Sequence, residues 1–180
     1  MHEKSRIVLS TINSVYDPLG LASPVIPEGK LILQQLIVMW KKANNNPLGW
    51  LNQPWHGWRD VLSSLENVSI PRCYCWGSGT IERRENHAFS DTSKEAIGTG
   101  VYLREVNGGG EISISLLHRR SKIAPVHLTS ISRLELCSRV LATQAVRMIR
   151  KELEVNEEIY YSNSKVVLGY IQNKSRRFYV

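Results

Sequence analysis

Asp91, Glu135 and Asn163 are the residues of this chain whose types and settings could do chemistry together. Asp91 closes the segment His87-Ala88-Phe89-Ser90-Asp91, which reads as a strand ending in a carboxylate. Glu135 lies in Ser132-Arg133-Leu134-Glu135-Leu136-Cys137, which opens a long helix, and Asn163 follows the strand-like Ile159-Tyr160-Tyr161. Carboxylates delivered to one point from separate elements hold divalent cations through hard oxygen ligands. Two such cations can activate a water and stabilise a leaving oxygen at a phosphodiester. Asn163 is the discordant member, because a carboxamide offers an oxygen but no charge. On residue types alone, Asp91 and Glu135 are better read as a polar pair at a strand end and a helix start.

Other chemistries find less support. Asp91-Thr92-Ser93 approaches the Asp-Thr-Gly of retroviral-type aspartic proteases, but lacks the glycine that lets the backbone make that loop. Cys73 and Cys75 form a C-x-C pair that could ligate zinc; no second Cys/His pair at finger spacing follows, which favours ordinary strand cysteines. His118 and His127 read as surface or packing residues rather than catalytic bases. No Ser/His/Asp arrangement, P-loop, dinucleotide fingerprint or Tyr-x-Asp-Asp polymerase motif occurs.

The elements that must position these residues are legible from periodicity. Tyr16-Asp17-Pro18-Leu19-Gly20 is a turn. A helix beginning at Pro27 carries the stripe Leu31, Leu33, Leu36, Ile37 and Trp40, and Asn44-Asn45-Asn46-Pro47 ends it. A second helix from about Trp55 to Leu65 aligns Trp55, Trp58, Val61, Leu62 and Leu65 as packing residues. Near residues 77–85 the pattern changes to β. Residues 86–91 form a strand, Gly98 to Leu103 its hairpin partner, and Glu111 to His118 a third strand after the turn Asn107-Gly108-Gly109-Gly110. A loop from Arg119 to Thr129 leads to a helix from about Ser132 to Leu153. Its stripe is Leu134, Cys137, Leu141, Ala145, Met148, Ile149 and Leu153, with Cys137 as a buried small hydrophobe. Ile159 to Tyr161 is a fourth strand and Ser164 to Ile171 a further helix. The fold class is therefore α/β: a helical N-terminal segment, then a mixed sheet in the order β-β-β-α-β-α, the first part of a ribonuclease H-like fold.

The chain of 180 residues suffices for one domain with a smaller appendage, and 42% hydrophobic with 22% charged residues is ordinary globular composition. A net charge of +7 favours acidic partners, nucleic acid first. Candidate phosphate contacts are Arg119, Arg120 and Lys122 in the loop before the long helix, and Lys165, Lys174, Arg176 and Arg177 near the C-terminus. No signal peptide is visible, the apolar run Leu31 to Trp40 is too short to span a bilayer, and three cysteines show no disulfide framework. An intracellular, reducing setting without a membrane is expected.

Ser90-Asp91-Thr92-Ser93, Ser132-Arg133-Leu134-Glu135-Leu136-Cys137 and Ser164-Lys165-Val166-Val167-Leu168-Gly169-Tyr170-Ile171 resemble the corresponding blocks of Bel/Pao-type LTR retrotransposon polyproteins. Val8-Leu9-Ser10, Ser14-Val15-Tyr16-Asp17-Pro18-Leu19-Gly20, Pro24 and Lys30 resemble the same family's segment after the polymerase palm. Ile70-Pro71-Arg72-Cys73-Tyr74 fits the join, and Asn173-Lys174-Ser175-Arg176-Arg177-Phe178-Tyr179-Val180 fits the close.

The resemblance implies a reverse transcriptase thumb or connection segment over residues 1–76 and a ribonuclease H-like domain over 84–180, C-terminally truncated. It matches Asp91 to the first-strand carboxylate and Glu135 to the long-helix carboxylate, both catalytic and metal ligands. Asn163 stands at the third metal-ligand position, and a fourth would lie beyond Val180. The implied cofactor is Mg²⁺, with Mn²⁺ as a substitute, weak or absent at a degenerate site. The implied partners are an RNA–DNA hybrid or other nucleic acid and the polymerase portion of a polyprotein serving DNA integration. The expected function is thus related to cleavage of RNA in hybrids, impaired by Asn163 and by the truncation. The alternatives are a non-catalytic nucleic-acid-binding or interaction module and, more remotely, an aspartic peptidase.

Overall fold

Apolar residues at three- and four-residue steps build the first part of the chain, and alternating ones the second. A computed structural model describes residues 3–42, 48–70, 80–125 and 130–173. These belong to two compact units, Met1–Arg72 and Cys73–Val180, each with its own core.

The first unit holds α1 (Glu3–Ser14), α2 (Ile26–Lys42) and α3 (Leu48–Ser64), followed by a short 3₁₀ turn (Leu65–Asn67). Its core joins Val8 and Ile12 of α1, Ile32 and Leu36 of α2, and Leu51, Trp55 and Trp58 of α3. The predicted turn forms before α2: Asp17 accepts the amides of Leu21 (2.7 Å) and Ala22 (2.8 Å), and Gly20 takes φ 79°. The α3 helix starts earlier than its tryptophan stripe indicates and runs through Pro54, whose fixed φ is helix-compatible although it removes one donor. Trp55 and Trp58 are buried as expected, whereas Ile37 and Val61 lie exposed.

The second unit is a four-stranded sheet in the order β3-β2-β1-β4, with one long helix across it. Its elements are β1 (Ile81–Thr92), β2 (Ala96–Asn107), β3 (Ile112–Ile123), α4 (Ile131–Ile149), β4 (Glu157–Tyr161) and α5 (Lys165–Gln172). The β1-β2-β3 meander is antiparallel, and β4 returns beside β1 in parallel after the α4 crossover. Asn107 makes the second hairpin turn by accepting the amides of Gly109 (3.1 Å) and Glu111 (2.9 Å) on its side chain. The core lies between α4 and the face carrying Ala88, Val101 and Leu103.

Two sequence expectations are corrected here. The stretch expected as a loop from Arg119 is strand β3 as far as Ile123, and Arg119, Arg120 and Lys122 pair with Gly100, Thr99 and Ile97 of β2. Polar residues persist in this strand because it is a sheet edge, where side chains reach solvent. Cys137 is exposed, as is Met148. The buried side of α4 runs through Leu134, Ser138, Leu141, Ala142, Ala145, Val146 and Ile149, rotated from the expected stripe. Small Ser138, Ala142 and Ala145 bring the helix axis close to the sheet, which hydrophobicity alone does not signal.

Candidate functional site at the ends of β1, α4 and β4

Parallel pairing of β1 with β4 ends at Phe89 opposite Tyr161. Two residues further along each chain, Asp91 and Asn163 come side by side, and the Asn163 Nδ2 donates to Asp91 Oδ1 at 3.2 Å. Facing a carboxylate, the amide must present its nitrogen, so its oxygen is directed elsewhere. Both residues are exposed. Glu135, half-buried near the start of α4, accepts a hydrogen bond from the hydroxyl of Ser164. Ser164 is itself buried and caps α5, accepting the amide of Val167 at 3.3 Å. The consecutive residues Asn163 and Ser164 therefore engage both carboxylates.

Arg139 lies one turn beyond Glu135 on α4, buried, and its Nη1 donates to the Tyr161 carbonyl at 2.9 Å. Ser90 donates to the same carbonyl at 3.4 Å. Burial holds the Arg139 guanidinium below its ordinary pKa. Arg139 and Ser164 were not singled out by sequence reading. The i, i+4 spacing of Glu135 and Arg139 and the serine before an apolar helical run were the available signals.

The three expected ligand residues thus share one end of the sheet, but their donor chemistry does not fit a pair of divalent cations. Among the described residues no group of three His, Cys, Asp or Glu side chains could hold a metal ion. The set offers two carboxylates, each already accepting a hydrogen bond, and an amide that turns its nitrogen inward. Asp91 and Thr92 remain within β1, paired with Gly98 and Ile97, rather than forming the loop of an aspartic-protease motif.

The described basic candidates are split between the two faces of the sheet and the start of α5. Arg119 lies on the sheet face away from α4, its Nη2 donating to the Tyr102 hydroxyl at 3.0 Å. Arg120 and Lys122 sit opposite Thr99 and Ile97, on the other face of the same edge strand. Lys165 is exposed and follows Ser164, the residue that bonds Glu135. Lys174, Arg176, Arg177, His127, Cys73 and Cys75 lie outside the described residues.

Sequence reading also missed an aromatic ladder on the face away from α4. Phe89 and Tyr161 stack with centroids 4.5 Å apart, and the Tyr161 hydroxyl meets His87 Nδ1 at 3.0 Å. Strand alternation, combined with the β1–β4 register, is what aligns them. No described helix is long and apolar enough to cross a membrane.

Among curated proteins none matches this chain. A solved structure of the foamy viral protease-reverse transcriptase dRH in complex with ds DNA is similar at 13% identity and a TM-score of 0.34, covering 98% of this chain and 31% of that one. The chain spans about a third of the length of that structure's chain. A family model described as the Pao retrotransposon-like RNaseH-like domain matches residues 4–164, a range that takes in Asp91, Glu135 and Asn163. With most of its length inside that match, the chain belongs to the Pao retrotransposon-like RNaseH-like domain family.

Proposed function

We propose that this chain is the ribonuclease H-like segment of a Bel/Pao-type LTR retrotransposon polyprotein, which grips an RNA–DNA hybrid at a cleavage centre degraded at residue 163. The convergence of Asp91, Glu135 and Asn163 at one end of the sheet carries the reading. It brings two carboxylates to neighbouring partners, Asn163 and Ser164, and in Asn163 gives the reason that cleavage is impaired. Mg²⁺, or Mn²⁺ in its place, is held weakly or not at all by this donor set. The first unit acts as a thumb or connection segment for a polymerase portion of the polyprotein, in an intracellular setting. Arg119 and Lys165 contact phosphates without reading sequence, so binding falls steeply with salt.

The test is cleavage of a labelled RNA–DNA hybrid in Mg²⁺ and in Mn²⁺ with an Asp91→Asn control, alongside binding over a salt series. Salt-sensitive binding without cleavage is the expected result. Cleavage that disappears in the control would make the centre competent despite Asn163. Absence of hybrid binding at low salt would overturn the reading.

A further inference from the structure

We infer that Asp91 and Glu135 act as a metal-free latch that locks the β4–α5 junction onto β1 and α4. The inference takes its centre from the functional reading above but does not require nucleic acid to bind. Three side-chain bonds converge on residues 161–164: Arg139 to the Tyr161 carbonyl, Asn163 to Asp91, and Ser164 to Glu135. A fourth, from the Ser164 amide to Ser162 Oγ at 3.2 Å, fixes the bend between them. Asp91 reaches the junction from β1, and Arg139 and Glu135 reach it from α4, so it is held from both elements at once.

The charge balance favours closure without a cation. A metal centre must gather negative charge that only the ion neutralises, whereas here the third position is an amide that bonds its neighbouring carboxylate directly. Arg139 adds a fixed positive charge one helical turn from Glu135, raising the cost of placing a divalent cation nearby. A metal coordinated through Asp91 Oδ1 or Glu135 Oε2 would compete with the Asn163 and Ser164 bonds to those oxygens.

Thermal unfolding of the full chain with and without millimolar Mg²⁺ or Mn²⁺ tests this, together with Mn²⁺ binding followed by electron paramagnetic resonance. The wild-type midpoint is expected to stay put on adding either metal, with no Mn²⁺ bound. Asn163→Asp sets two carboxylates side by side: its midpoint falls in metal-free buffer at neutral pH and recovers when metal binds the native state. Asp91→Asn keeps an amide pair able to hydrogen-bond, so its midpoint stays near wild type. That variant keeps the test decisive if Asn163→Asp does not fold. A metal-dependent rise of the wild-type midpoint, abolished by Asp91→Asn, would overturn the latch. Loss of hybrid binding alone would overturn the functional reading and leave the latch intact.

Discussion

Ser164 donates its hydroxyl to the Glu135 carboxylate while accepting the amide of Val167, so one buried side chain joins α4 to the first turn of α5. Ser164→Ala removes a helix cap and strips a half-buried carboxylate of its donor. The expected loss is about 1–2 kcal/mol, read as a lower denaturant midpoint at unchanged m. Ser164→Thr retains the hydroxyl and should recover most of that loss.

Glu85 is buried on β1 beneath three cationic or protonatable partners: Arg83 (2.7 Å), Arg104 (2.8 Å) and His87 (3.0 Å). The His87 hydrogen bond leads in holding its carboxyl below the ordinary value of 4.5; burial opposes it, and the two arginines add to the lowering. A depressed folded-state value means that the stabilisation is complete above the unfolded carboxylate range. It is lost as pH falls through the folded value. Glu85→Gln should therefore flatten the acid limb of the stability–pH curve below about pH 4.5. It should also lower stability at neutral pH, both read by unfolding across a pH series.

Asn86 is fully buried on the α4-facing side of β1, and neither atom of its carboxamide has a hydrogen-bond partner. An unpaired buried amide destabilises the fold, and the site is a central strand with Leu103 opposite it on β2 and Glu158 opposite it on β4. Asn86→Val should raise stability by about 1–2 kcal/mol, seen as a higher denaturant midpoint. A loss of stability would show that the amide is satisfied in solution.

Gly29 in α2 lies against the indole of Trp58. A Cβ there would come within 2.5 Å of Trp58 Cε2, and the ring is held in place by its 2.9 Å bond to the Val25 carbonyl. Gly29→Ala should destabilise the first unit by about 1–3 kcal/mol despite its better helix propensity. Near-ultraviolet circular dichroism and tryptophan fluorescence of the first unit would register the displaced ring.

The sequence by itself determined the order of elements in the second unit, the positions of its hairpin turns and the meeting of Asp91 with Asn163. Local chemistry is sufficient for these. Asn107 and the glycines after it can make their turn with few distant contacts, and a β-α-β crossover places the ends of β1 and β4 together. The aligned register then carries residues 91 and 163 to the same level.

Which side of an edge strand or helix is buried, and which donor reaches which acceptor, emerged only from tertiary packing. Arg119 through Lys122 look like a loop until pairing with β2 supplies their backbone partners. Cys137 looks like core until Ser138, Ala142 and Ala145 let α4 settle closer to the sheet on a rotated face. Asn163 reads in sequence as a missing ligand. Only in the fold, with Ser164 and Arg139 beside it, does it become a donor that closes the centre on itself. Charge at such a site depends on distances between segments remote in the chain, and those distances are set by packing rather than by spacing.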